Sequence, residues 1–264
     1  MNRNLVAFGL FVTAVAAAPA SAQRRADYQW ANPVAAGNTV SVRNISGDVK
    51  ITPSTSGRVE VLGFKQGNGR ALDRIRADVK QTSRGIIVCV LYDSSTDCDD
   101  NHSDRRGWRD DDNGNASIDL EVAVPTNLVV EATSVSGDVD VSGAHGDITA
   151  GSVSGDVHLD HLHANSIEAH SVSGGVEVSV DELTGRGDFK FHSVSGDVTL
   201  SVPRDFGADL SMTTVSGDID SDFPITIGGT GRVNRRSVNG RIGSGGRKLD
   251  VSTVSGDLRL RTAR

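Results

Sequence analysis

Ser134-Val135-Ser136-Gly137-Asp138-Val139-Asp140-Val141 recurs in close copies at 152–159, 171–178, 193–200, 214–221, 237–244 and 253–260, with an early outlier at 44–51. The glycines Gly137, Gly155, Gly174, Gly196, Gly217, Gly240 and Gly256 are separated by 18, 19, 22, 21, 23 and 16 residues. Self-similarity at a period of about 20 residues marks a repeat architecture. Fainter half-copies lie between the main ones, at His145-Gly146-Asp147-Ile148, Arg186-Gly187-Asp188-Phe189 and Gly207-Ala208-Asp209-Leu210. Each unit thus carries two strand-plus-turn segments.

Within a copy the apolar positions are Ala132, Val135, Val139 and Val141, then Ala150, Val153, Val157 and Leu159, then Phe191, Val194, Val198 and Leu200. Strict alternation after the turn predicts a half-buried strand, because successive side chains point to opposite faces. The broken alternation before it predicts a bend. Gly supplies a backbone angle most residues avoid, and Ser and Asp can hydrogen-bond the turn's own amides. Ser136-Gly137-Asp138 and its counterparts Gly155-Asp156, Gly196-Asp197, Gly217-Asp218 and Gly256-Asp257 therefore read as corners. One unit cannot bury its apolar edge alone, whereas stacking successive units at about 4.8 Å per rung builds a continuous Val/Ile/Leu core. The expectation is an all-β, single-stranded β-solenoid. An antiparallel meander with hairpin turns at each Gly-Asp is the competitor, but it gives no reason for Ser, Gly, Asp and Val to recur in one column.

The chain opens with Arg3, an apolar stretch over 5–18 and Ala20-Ser21-Ala22, the pattern of a secretory signal peptide over 1–22 cleaved before Gln23. The apolar run is shorter than the roughly 20 residues a spanning helix needs, so no membrane span is expected in the mature chain. A formal net charge of −7 argues against nucleic acid and anionic membrane surfaces as partners. Cys89 and Cys98, the two cysteines, are expected to form a disulfide in an oxidising, extracytoplasmic compartment, either periplasmic or secreted. Residues 23–130 are strand-rich but irregular, with candidate strands at 39–43, 49–51, 59–62, 75–79, 86–91, 118–124 and 128–130 and a polar insert at 93–115. They read as the first turns of the solenoid, closing the end of the core that stacked rungs leave exposed. Residues 131–264 are the repeat region.

Glu121-Val122-Ala123-Val124-Pro125 followed by Leu128-Val129-Val130-Glu131-Ala132, the Ser-Val-Ser-Gly-Asp-Val copies, Asp222-Phe223-Pro224-Ile225 and the closing Thr253-Val254-Ser255-Gly256-Asp257-Leu258 occur in this order. On these motifs the chain resembles the bacterial adhesin-like "toast-rack" β-solenoid family of unknown function, over roughly residues 39 to 260. The resemblance implies a β-helical, envelope-associated domain, encoded in some relatives near envelope-stress systems, and it implies no catalytic residues. The chain departs from the pattern at Gly175, Asn239 and Arg241 and in the insert after Cys89.

Several clusters invite a chemical reading. The Asp column, Asp138, Asp156, Asp197, Asp218 and Asp257, reads as turn chemistry, with a calcium-binding edge as the alternative. Asp110, Asp111 and Asp112 in the insert offer the hard oxygen ligands calcium prefers, but their spacing lacks the twelve-residue loop pattern. His170 and His192 share a column in the solenoid register and are the candidate zinc pair; His158 shares another with Asp140 and Glu177. Arg186-Gly187-Asp188 occupies the half-copy position that also reads His145-Gly146-Asp147, and so reads as a turn variant. No nucleophile elbow, zinc-protease motif or phosphate loop occurs, aromatics are only 4%, and the repeated Asp residues give no carboxylate pair a distinct environment. The reading is a non-enzymatic binding or structural module of the bacterial cell envelope, without a cofactor, with a protein, a glycan or a second copy of itself as partner. The alternatives are a divergent carbohydrate-active β-helix enzyme and an accessory or sensor of envelope-stress signalling.

Overall fold

Val198, Leu200 and Val202 are buried while Thr199 and Ser201 between them turn outward, and this two-residue period repeats through most strands of the rungs. The computed structural model describes residues 25–92, 98, 116–227 and 233–263. The leader and Asp110, Asp111 and Asp112 lie outside the described residues. The strands are β1 (Tyr28–Asn32), β2 (Thr39–Arg43), β3 (Val49–Pro53), β4 (Val59–Gly67), β5 (Arg76–Thr82), β6 (Gly85–Leu91), β7 (Ala116–Val124), β8 (Val129–Ser136), β9 (Val139–Ser142), β10 (His145–Ser154), β11 (Val157–Ser171), β12 (Val176–Leu183), β13 (Phe189–Ser193), β14 (Val198–Val202), β15 (Ala208–Ser216), β16 (Ile219–Ser221), β17 (Ile225–Thr226), β18 (Val233–Asn234), β19 (Ser237–Ile242), β20 (Lys248–Ser255) and β21 (Leu258–Thr262). A single helical turn, α1 (Ala71–Arg74), interrupts them.

Two parallel ladders meet at the Ser-Gly-Asp corners. Before the corner the order in space is β6, β2, β8, β10, the second half of β11, β13, β20 and β15. After it the order is β7, β3, β9, the first half of β11, β12, β14, β21 and β16. The fold is the expected all-β solenoid, but its rungs do not stack in chain order. The last rung, β20/β21, is inserted between β13/β14 and β15/β16, and the first, β2/β3, lies between β6/β7 and β8/β9. Each outlying repeat is therefore held on both sides, one rung in from its end of the stack. The copy at 237–244 is not a rung: β19 runs antiparallel to β15, and Gly240 faces Ile225 and Thr226 instead of another glycine.

Antiparallel strands cover both ends, where a stack of parallel rungs exposes its core. At one end β4 covers β7, β1 covers β4 and β5 covers β6; at the other, β17 and β18 pair with β19. Inside, like side chains stack rung upon rung, as in Val49, Val139, Val157, Val176, Val198 and Leu258, all buried. Toward the far end the core widens into rings: Phe206 stacks on Phe189 at 5.9 Å and meets Phe223 edge-on at 6.3 Å. Arg247, 5% exposed, lies 4.5 Å over the Phe189 ring and donates to the carbonyl oxygen of Gly185. A buried guanidinium is tolerated where an aromatic face and a carbonyl replace its water. Burial lowers its pKa, and Asp188 opposes that shift.

Cys89 and Cys98 are joined in the expected disulfide and pack with Ile87 and Leu91 in a small apolar cluster. In the entropy model such a short loop stabilises the fold by about 2–3 kcal/mol. Val135, Val153 and Val194 do not enter the core; with Val172, Val254 and Val215 they stand on the outside of the corner, between 40% and 60% exposed. The bend that breaks the alternation turns two consecutive residues outward, the valine and the serine after it, so apolar character there does not mean burial.

Candidate functional site

The corner is built from three ladders of hydrogen bonds and close contacts. First, the leading hydroxyl of each motif is buried and donates to the glycine carbonyl of the neighbouring rung. Ser152 bonds Gly137 O, Ser171 bonds Gly155 O and Ser193 bonds Gly174 O, each at 2.9 Å. Thr253 bonds Gly196 O and Thr214 bonds Gly256 O, each at 3.1 Å. Asn44 begins the series by donating to Gly47 O and Ile118 O, both at 2.8 Å. Apart from Ser41 and Arg247, every buried polar residue among those described belongs to this column. The serine directly before the glycine, Ser136 in the first copy, is exposed, so the hydroxyl that matters is two positions earlier than the sequence suggested.

Second, the glycines are required by crowding more than by backbone angle. A Cβ built on Gly155 would sit 2.2 Å from Gly137 O, one on Gly196 would sit 2.1 Å from Gly174 O, and one on Gly217 would sit 2.0 Å from Gly256 O. Gly155, Gly174 and Gly196 are not in the positive-φ region at all.

Third, the carboxylates of Asp138, Asp156, Asp197 and Asp257 reach to the next rung and not to their own turn. Asp138 Oδ1 accepts the Asp156 amide at 2.8 Å, Asp156 Oδ1 accepts the Gly175 amide at 2.7 Å, Asp197 Oδ1 accepts the Asp257 amide at 2.8 Å, and Asp257 Oδ1 accepts the Asp218 amide at 3.0 Å. The Asp257 amide, with Arg259 second, holds the Asp197 carboxyl below the usual range. An amide offered to each carboxylate offsets the repulsion of about 1 kcal/mol between neighbours in water. Gly175 interrupts the column, since it has no carboxylate to give to the Asp197 rung. A Cβ there would meet only ordinary contacts, Asp197 O at 3.4 Å and Asp156 Oδ1 at 3.7 Å. Gly175→Asp should therefore complete the column. A hydrogen bond of about 0.5–1.5 kcal/mol and reduced freedom of the unfolded chain outweigh the added repulsion, raising the melting temperature by a few degrees in a circular-dichroism melt. A fall instead would mean that carboxylate repulsion limits this edge.

The outer faces carry charge in register. On the ladder after the corner, Glu121, Lys50, Asp140, His158, Glu177, Thr199, Arg259 and Asp220 form one column, largely alternating in sign. His158 Nδ1 lies 3.7 Å from Glu177. Burial raises the Asp140 pKa, with His158 opposing. On β21, Arg259 bridges Asp197 and Asp257 at 2.7 Å each, and Arg261 bridges Asp220 and Asp222 at 2.8 and 2.9 Å. Exposed pairs add little stability, but forked contacts to both neighbouring rungs specify where β21 inserts.

His170 and His192 are register neighbours, as expected. Their rings lean apart: His170 lies over Gly151, and His192 Nδ1 contacts Ser252 Oγ at 2.7 Å, so this arrangement brings them to no shared ligand position. Sequence reasoning missed a denser imidazole group at the half-copy corner. His145 and His163 stack in parallel at 4.4 Å, and His163 Nδ1 lies 3.1 Å from Glu182. His161, the one non-glycine residue at positive φ among those described, contacts Asp181 at 3.0 Å and Asp160 at 3.4 Å. The hydrogen bond to Asp181 raises the His161 pKa, while burial, then His163, lowers that of His145. In the Arg186-Gly187-Asp188 turn, the Asp188 carboxylate accepts the Lys248 amide at 3.1 Å, a structural contact.

Ladders of serine, glycine and aspartate at a corner between parallel sheets define a repeat β-solenoid whose chemistry is spread evenly along its length. The Toastrack DUF4097 family model matches residues 34–261, and the chain belongs to that family. Among solved structures it is similar to one described as a candidate cell adhesion protein from Clostridium sporogenes, at 7% identity over 89% of this chain and 99% of that one, TM-score 0.48. It is also similar to a candidate adhesin from Bacteroides fragilis, at 15% identity over 89% and 96% of the two chains, TM-score 0.43. No curated protein matches the sequence.

Proposed function

We propose that the mature chain, from Gln23 onward, is a non-enzymatic, extracytoplasmic binding or structural module of the bacterial cell envelope, with an adhesin-like role toward an envelope protein or glycan. The observation that carries this reading is the uniformity of the faces. Ser, Asp and Val recur at one position per rung, which suits a rigid platform that spreads contacts along its length and does not focus reactivity at a point. The signal-peptide pattern and the Cys89–Cys98 disulfide support an oxidising compartment. Among the described residues no helix is long and apolar enough to cross a membrane.

Co-sedimentation of the mature chain with envelope fragments, intact and protease-stripped, each in calcium and in chelator, tests the proposal. Retention on intact fragments alone identifies a protein partner, and retention on both identifies a glycan. Loss in chelator shows that retention requires calcium, with the Asp-rich insert and the Asp column as the candidate sites. Retention on neither overturns the platform reading, and new reducing ends released from the fragments would establish the carbohydrate-active alternative.

A further inference from the structure

Among the described residues, the large hydrophobic side chains left exposed are Val135, Val153, Val172, Val194, Val254, Val215 and Ile227. All but Ile227 occupy one column. In stack order they run Val135, Val153, Val172, Val194, Val254, Val215, as the rung-to-rung pairing dictates, with the half-buried Ile45 preceding them beside Val135. A surface that places all its exposed valines in one unbroken line differs from the scattered apolar residues normal for a soluble protein.

The line cannot accept an added strand. Its backbone groups are engaged between rungs: the Ser173 amide donates to Val153 O, the Ser195 amide to Val172 O and the Ser255 amide to Val194 O, each at 2.9 Å. What it offers is a row of methyl groups at the spacing of stacked strands, about 4.8 Å, with exposed serines alongside. A partner that meets every rung must share that spacing, and a stack of β-rungs is the structure that has it. A second copy of this chain supplies it in register.

The flanks favour the same occupant. On one side of the valines run Asp138, Asp156, Asp197, Asp257 and Asp218; on the other, two residues before the valine, stand His170 and His192. When two copies are related by a two-fold axis parallel to the stack, the Asp flank of each faces the His flank of the other: His192 meets the rung of Asp197, and His170, whose facing rung carries Gly175, falls between the rungs of Asp156 and Asp197. The antiparallel arrangement would set Asp against Asp. We infer that the valine column is a self-association surface, on which two copies pack side by side with their stacks parallel. The column is one side chain wide and short of the roughly 800 Å² that each partner brings to a standard stable interface, so the dimer is a weak, concentration-dependent one. This inference is independent of whether the envelope partner is protein or glycan.

Sedimentation velocity of the mature chain from about 10 µM to about 1 mM, the range where small interfaces associate, reads the result directly. The expected outcome is a reversible monomer–dimer shift that disappears in V153K/V194K and weakens in V153T/V194T, with melting temperatures confirming that both variants are folded. In the parallel arrangement Val135 faces its own counterpart, so Val135→Cys should cross-link between copies on mild oxidation. A monomer throughout the range, an association unchanged in V153K/V194K, or a mass increase that requires lipid vesicles would each overturn the proposal. None of these outcomes would alter envelope co-sedimentation, so the two readings fail separately.

Discussion

Gly196→Val is expected to abolish cooperative unfolding or to lower the melting temperature by at least about 10 °C. The Cβ of any residue at this position would lie 2.1 Å from Gly174 O and 2.4 Å from its carbonyl carbon. Those atoms are backbone in the neighbouring rung and cannot rotate away. Gly174 O also accepts the Ser193 hydroxyl at 2.9 Å, and Gly196 O accepts that of Thr253 at 3.1 Å. Separating the two rungs at the corner to admit one methyl would therefore break the buried Ser193–Gly174 bond, at about 1–3 kcal/mol for each orphaned group. Pushing Gly196 the other way would drive its carbonyl into Thr253 and Gly256 of the next rung. The branched valine adds further overlap. Gly146→Ala is the control: φ is +83° there but nothing lies within 4 Å, so the cost is confined to backbone strain of about 1–3 kcal/mol. If Gly196→Val melts like Gly146→Ala, the rungs yield at the corner and close approach does not require the glycine.

Much of this corner was legible in the sequence and some was not, for definable reasons. The period, the alternation of Val198, Leu200 and Val202, and the coincidence of His170 with His192 follow from side-chain direction in a strand and held in the structure. The role of each corner residue was less accessible, because Ser-Val-Ser-Gly-Asp shows which residue types recur and not which atoms meet across rungs. Ser152 donates to Gly137 and Asp138 accepts from Asp156, and both contacts link residues separated by a whole repeat. The outward turn of the valines is hidden for the same reason, since an apolar residue at a bend carries no mark of the side on which it falls. The spatial order of the rungs was hidden more deeply. Every rung presents nearly the same edge, so local pattern does not choose its neighbour. The signals that do so are individual departures. Arg259 and Arg261 stand where other rungs place Thr199 and Ser201, and they match Asp197, Asp220 and Asp222 on the rungs to either side. Arg247, just before β20, seats that strand beside Phe189.

Removing residues 248–264 should have an effect as large as the glycine substitution, and for a different reason. In a solenoid stacked in chain order, deleting the last repeat takes away an end rung and one interface, and the remaining stack melts slightly earlier. Here the deleted rung is internal. Its loss would leave β13 and β14 facing β15 and β16 across a gap of roughly two rung spacings, about 9.6 Å. Leu249, Val251, Leu258 and Leu260, all 2% exposed or less, would be removed, and each is worth about 1.5–3 kcal/mol of burial. Their sum, roughly 6–12 kcal/mol as an upper estimate, rivals the about 5–15 kcal/mol that holds a typical domain together. The loss would also uncover Phe191, Leu200 and Met212, which they contact as register neighbours, and would release β15 together with the cap of β17, β18 and β19 that pairs on it. A chemical-denaturation curve of the truncated chain should accordingly show either no folded baseline or an early transition in which the far end unfolds separately from the rungs on the β2 side. A truncated chain that unfolds in one transition, within a few degrees of the parent's melting temperature, would mean that β20 and β21 form an end rung and that the inserted order is wrong. The point Leu258→Asp places an unpaired charge at the centre of the same gap, between Val198 and Ile219, and should reproduce the truncated behaviour without shortening the chain. Agreement between the two variants would assign the effect to the inserted rung itself, because both remove its packing and only one removes its backbone.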